Sequence, residues 1–269
     1  MTDAPDPYPR AGTTADFAAN LAAVRTRIAA AAEGAGRDPG GVRLLPVSKT
    51  VPEDRLRLAI AAGMTELGEN KVQEAQRKAG NLADLGVRWS VIGHLQSNKA
   101  KDVAAFAHEF QALDRLKVAD GLDRRLQADG RGLDVFIQVN TSAEDTKFGL
   151  PPGDVLPFLA ALRAHHALRV RGLMTLAVFS GDTERVRACF RLLRDLRDRA
   201  RATDPDLVGE GHLSMGMSGD FELAIAEGAT VVRVGQAIFG ARPTPDALYW
   251  PGLFPESPDP HSSEMSESV

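Results

Sequence analysis

Eight times along this chain a short apolar run gives way to a helical pattern, and that alternation leaves few possible architectures. The runs Val42–Ser48, Thr65–Gly68, Arg88–Ile92, Glu109–Leu113, Leu133–Asn140, Leu168–Leu173, His212–Met215 and Thr230–Val234 are the predicted strands. Helices are predicted over 53–62, 71–85, 98–106, the segment holding Leu116, Ala119 and Leu126, then 154–164, 183–202 and 221–226. Strands separated by helices pair in parallel, because a parallel neighbour requires a crossover connection. Eight such units in one body predict a single (β/α)₈ barrel. A doubly wound open sheet is the second choice, and it is disfavoured because no G-x-G-x-x-G follows a strand. One helix precedes the first strand: Phe17, Leu21, Val24 and Ile28 recur at spacings of four, three and four. Thr13 with Asp16 three residues on is its start signal, and Gly34 and Gly36 end it.

The barrel is expected to occupy residues 13–242. Residues 1–12 contain Pro5, Pro7 and Pro9 and are read as a disordered tail. Residues 243–269 are read likewise, with six prolines, five serines and five acids but no Lys or Arg. Net charge is −4, and without the last 27 residues the body holds 32 basic and 31 acidic groups. A near-neutral body gives no electrostatic argument for nucleic acid. No apolar run is long enough for a bilayer, and residues 1–12 lack the apolar core of a secretory signal. The single cysteine, Cys189, suits a reducing cytoplasm and reads as core packing. His165 and His166, at the end of a helix, are read as solvated.

In a barrel, chemistry collects where strands end. The first strand ends in Val47-Ser48-Lys49-Thr50, which delivers one lysine to the mouth. Desolvation there lowers a lysine pKa, and a neutral amine can attack a carbonyl to give a Schiff base. A solvated strand end is the plain alternative. After strand seven comes Ser214-Met215-Gly216-Met217-Ser218, and after strand eight Gly235-Gln236-Ala237-Ile238-Phe239-Gly240. Loops seven and eight bind phosphate in many barrels, and serine hydroxyls with glycine-exposed amides can do so here. Strand alternation puts Arg233 and Gly235 on the same, inward side. A Schiff-base lysine with a phosphate cup fits pyridoxal 5′-phosphate (PLP) or a sugar phosphate in an aldolase. An inward guanidinium facing a pyridine nitrogen would keep that nitrogen unprotonated and weaken the ring as an electron sink.

Seven segments in order resemble the PLP homeostasis proteins, the YggS/PROSC family. They are Val47–Thr50, Gly68–Asn70, Ile92–Lys99, Gln138–Ser142, Gly172–Met174, Leu213–Ser218 and Val232–Gly240. The resemblance runs from about residue 16 to 242 and leaves the tails outside. It implies a barrel like the N-terminal domain of alanine racemase, with Lys49 carrying PLP as a Schiff base. It also implies that Ser214, Ser218, Gly235 and Gln236 hold the phosphate, that Arg233 faces the pyridine nitrogen and that Asn70 lines the pocket. Many members have threonine where this chain has Gln236, whose backbone N–H is unchanged.

The family is regarded as carriers or buffers of PLP without established turnover; a cytoplasmic protein in transient contact with PLP-dependent apoenzymes is the expectation for this chain. A PLP racemase is the first alternative. It needs acid–base groups on both faces of the substrate carbon, and alanine racemase takes its second from a tyrosine of a C-terminal domain. The tyrosines here, Tyr8 and Tyr249, fall in the predicted tails, so a racemase would have to recruit one of them, His94 or Cys189. A Schiff-base aldolase is the second alternative. No metal-ligand spacing is found, and the missing second domain favours a monomer.

Overall fold

The structure, a computed structural model, describes residues 8, 10–144 and 146–241. Eight strands run through it: β1 (Arg43–Pro46), β2 (Glu66–Glu69), β3 (Arg88–Val91), β4 (Glu109–Leu113), β5 (Leu133–Gln138), β6 (Leu168–Met174), β7 (His212–Ser214) and β8 (Val231–Val234). All pair in parallel, in the order β1-β8-β7-β6-β5-β4-β3-β2. A parallel bridge between Val47 and Gly68, with Ser48 N–H donating to Gly68 O at 2.9 Å, joins the two ends of that order. The sheet is thus a (β/α)₈ barrel. Helix α1 (Thr14–Gly34) precedes it. Helices α2 (Glu53–Ala61), α3 (Val72–Asn81), α4 (Ala100–Phe106), α5 (Leu116–Ala128), α6 (Val155–Leu162), α7 (Thr183–Thr203), α8 (Phe221–Ala226) and α9 (Gln236–Phe239) each follow a strand.

The expected start of α1 is present on both sides: Asp16 N–H donates to Thr13 Oγ1, and Thr13 N–H donates to Asp16 Oδ2. Its stripe of Phe17, Leu21, Val24 and Ile28 is buried, and the Phe17 ring meets Phe239 of α9 edge-on at 5.8 Å. Between strands and helices lies an apolar shell that includes Cys189, 5% exposed on α7. The barrel interior is more polar. Glu109 and Gln111 of β4, Ser90 of β3, Ser214 of β7 and Arg233 of β8 are all buried. Buried polar groups persist only when hydrogen-bonded, so this interior must be a connected network.

Two expectations change. His165 is 9% exposed, with Nε2 2.8 Å from Asp120 Oδ1, so it is packed rather than solvated; His166 is exposed. Residues 8 and 10–12 lie against the barrel instead of leaving it. Ala11 is 2% exposed, and Arg55 donates to its carbonyl through both Nε and Nη2. A proline-rich stretch without an apolar period carries no signal for such an anchor, which is supplied by the partner side chain. The remaining tail residues, with Tyr249, lie outside the described residues. Among the described residues no helix is long and apolar enough to cross a membrane.

Candidate functional site

The strand ends bring the predicted residues to one mouth. Lys49 follows β1, Asn70 follows β2, Ser214 ends β7, Ser218 closes the next loop, and Gly235 and Gln236 join β8 to α9. Lys49 is half-buried, between buried Ser48 and exposed Thr50. An open cleft is lined by Arg10, Lys49, Thr50, Arg55, Gly235 and Gln236.

The loop after β7 is shaped by one glycine and one carboxylate. Gly216 has φ of 93°, and a Cβ there would meet Ala224 Cβ at 2.7 Å and Phe221 Cα at 2.8 Å. Only glycine fits. Met217 N–H donates to Asp220 Oδ1 at 2.6 Å, and burial raises the Asp220 pKa against that bond. The turn sets Ser218 beside α9, where its Oγ accepts from Ala237 N–H at 3.4 Å. On the other side of the mouth, a Cβ at Gly93 would collide with the Asn70 carbonyl, so the loop after β3 can pass over Asn70 only as glycine.

Arg233 lies inside the barrel, 3% exposed. Its Nη1 donates to Ser214 Oγ at 2.7 Å and its Nη2 to Thr175 O at 2.8 Å. Burial lowers its pKa to about 10, with Asp220 opposing, so the group stays charged at neutral pH. Ser214 Oγ–H donates to Gln111 Oε1 at 2.6 Å, and Gln111 Nε2 donates to Glu109 Oε1 at 2.6 Å. Glu109 also accepts from Arg43 and Ser90. One directional chain therefore crosses the barrel and fixes the guanidinium. The Ser214 hydroxyl, read from sequence as a phosphate ligand, is committed on both sides here to Arg233 and Gln111. Substituting Ser214→Ala leaves a buried charged donor without its acceptor, which costs about 1–3 kcal/mol. Urea denaturation measures this, and an unchanged midpoint would show that the chain contributes nothing to stability.

A second network holds the segment that carries Lys49, and sequence reading did not find it. Lys78 of α3 is fully buried. Its Nζ donates to Ser48 O at 2.9 Å and pairs with Glu69 and Glu74, each at 2.7 Å. Glu69 also accepts from Ser48 Oγ at 2.7 Å, and Glu74 accepts from Thr50 N–H at 3.0 Å. Thr50 has φ of 65°, a strained conformation for a β-branched residue. The backbone on both sides of Lys49 is thus tied to one buried ammonium. The available signal was Lys78 itself, which shares the inward face of α3 with Val72 and Ala75 at a spacing of three. At the rim, His94 stacks on Phe148 at 3.7 Å and contacts Arg115 at 3.0 Å, and burial lowers its pKa with Arg115 adding to the effect.

A family model described as "Alanine racemase, N-terminal domain" matches residues 19–243. The pyridoxal phosphate homeostasis protein of Pseudomonas aeruginosa is 44% identical over 226 residues, covering 84% of this chain and 96% of that one. The chain belongs to the pyridoxal phosphate homeostasis family. Its relative in Aquifex aeolicus is 40% identical over 222 residues, covering 82% of this chain and 96% of that protein. PipY of Synechococcus elongatus PCC7942, solved with PLP bound, is a structural neighbour with TM-score 0.73 and 34% identity, over 83% of this chain and the whole of that one. The residues present fit such a group. Lys49 and the Gly235–Gln236 backbone line one cleft, and the Ser218 hydroxyl and the buried Arg233 guanidinium lie on the adjoining β7 and β8 segments.

Proposed function

We propose that this protein holds PLP at the barrel mouth and serves as a non-catalytic carrier in the cytoplasm, releasing the cofactor to PLP-dependent apoenzymes. When bound, PLP supplies a reactive aldehyde and an electron-withdrawing ring. In this reading Lys49 would be the amine that holds the aldehyde. Ser218 and the amides of Gly235 and Gln236 would bind the phosphate, while Asn70 would border the ring. The observation that carries the reading is Arg233. Ser214 and Thr175 lock a charged guanidinium, which would oppose protonation of a pyridine nitrogen if the ring were held against it. The cofactor is then held without its full power to stabilise carbanions.

A racemase would need an acid–base group opposite Lys49. Among the described residues the one tyrosine is Tyr8, whose hydroxyl donates to Ser218 O at 3.2 Å, on the phosphate side. One copy of the chain contains every residue assigned here, which supports a monomer. Absorbance spectra of the purified protein with added PLP, before and after borohydride, test the reading. A yellow band that bleaches is expected, with a phosphopyridoxyl mass on the Lys49 peptide. Coupled transfer to an apoenzyme should follow without alanine racemisation. A protein that stays colourless with PLP overturns the proposal, and a measurable racemase rate overturns its non-catalytic part.

A further inference from the structure

We propose that Tyr8 and residues 10–12 form a strap across the phosphate end of the cleft, and that Arg10 is a ligand for the phosphate ester held there. This extends the PLP reading and rests on it for the identity of the ester. The strap precedes residues 19–243 matched by the family model, so it adds to the shared site.

Three anchors hold the strap. Tyr8 donates its hydroxyl to Ser218 O, while its carbonyl accepts from Ala241 N–H at 3.0 Å. Both contacts are to the segments that flank the phosphate cup. Arg55 of α2 donates to Ala11 O at 2.6 and 3.1 Å and to Phe239 O at 2.7 Å, pinning the strap to the end of α9. Gly12 N–H donates to Asp16 Oδ2 at 3.0 Å, which fixes the exit into α1. Between these anchors Arg10 is exposed and lines the cleft with Lys49, Gly235 and Gln236. Among the described residues no carboxylate forms an ion pair with it. Its charge instead bears on Arg55, whose pKa is lowered by burial first and by Arg10 second. Two neighbouring guanidiniums, one spent on carbonyls and one aimed into the cleft, make a place for a dianion. A planar fork matches phosphate oxygens. The ligand class is a phosphate monoester, and the strap's contribution is selectivity for phosphorylated over unphosphorylated vitamers.

The test compares wild type, Arg10→Ala and Tyr8→Phe as full chains. Dissociation of PLP is followed by absorbance, alongside equilibrium binding of pyridoxal, which lacks the phosphate. Arg10→Ala should release PLP about tenfold faster, the size expected for one charge-assisted contact, and bind pyridoxal as wild type does. Tyr8→Phe should shift PLP release in the same direction by a smaller factor. Equal PLP release from wild type and Arg10→Ala, or an equal loss for pyridoxal, overturns the proposal. Thermal protection by inorganic phosphate separates it from the reading beneath. If wild type binds no PLP yet phosphate protects it and not Arg10→Ala, the strap site stands and the PLP reading falls. If phosphate protects both alike, the Arg10 assignment is wrong whatever PLP does.

Discussion

Lys49→Ala is expected to abolish borohydride-fixable PLP altogether. In the proposed site the amine forms the sole covalent link, and every other contact is a hydrogen bond or ion pair of about 1.5–3 kcal/mol at most. In that proposal the other contacts, from Ser218, the Gly235 and Gln236 amides and Arg233, do not involve the Lys49 side chain and survive the substitution. The variant should retain weak, readily dialysed PLP whose absorbance resembles the free aldehyde. Its fold should be unchanged, because Lys49 is half-buried and the backbone around it is held by Lys78, Glu69 and Glu74. Mass mapping after reduction decides it. A phosphopyridoxyl group appearing on another lysine of the variant, in the same yield as on wild type, would remove Lys49 from its role.

Lys78→Met should be the most destabilising single change in the site. Methionine nearly keeps the volume, so the expected loss of about 3–5 kcal/mol comes from leaving buried Glu69 without its cation. That is a large share of the roughly 5–15 kcal/mol that holds a domain folded. The loss has a pH signature. Burial already raises the Glu69 pKa, and Lys78 is the main influence pulling it back down. With a raised native pKa, the folded state keeps a proton that the unfolded chain has released. Stability in that window therefore falls as pH rises. Removing Lys78 lifts the native pKa further and extends the window upward. The deficit against wild type, from urea melts, should be larger at pH 8 than at pH 5. An equal deficit at both values would mean that packing, not charge, explains the loss. Because Lys78 also holds Ser48 O, the variant should bind PLP more weakly even where it remains folded.

The parts of the site that were legible in the sequence share one property: they depend on local geometry. A two-residue period puts Arg233 and Gly235 on one side of β8, and the end of an apolar run marks where Lys49 emerges. Glycines at 216 and 235 mark close backbone approach. The parts that were not legible depend on distant partners. Nothing near Ser214 announces that its hydroxyl bonds Gln111, which lies 103 residues earlier. Nothing near Tyr8 announces Ser218, 210 residues later. His165 read as solvated because its partner Asp120 is on α5, 45 residues earlier.

By itself the sequence determined the order of strands and helices, hence the barrel, because hydrophobic periodicity is a local pattern and parallel strands need crossovers. It also placed Lys49 after the first strand, serine- and glycine-bearing loops after the seventh and eighth, and Arg233 facing inward. Only the tertiary structure decided how each is held. It tied Lys49's neighbours to a buried ammonium, locked Arg233 into a chain across the barrel, and packed Tyr8 and Ala11 of an apparent tail against Ser218 and Arg55. Those roles follow from which side chains satisfy each other's buried hydrogen-bonding groups. That matching is made between elements far apart in the chain, where no local period records it.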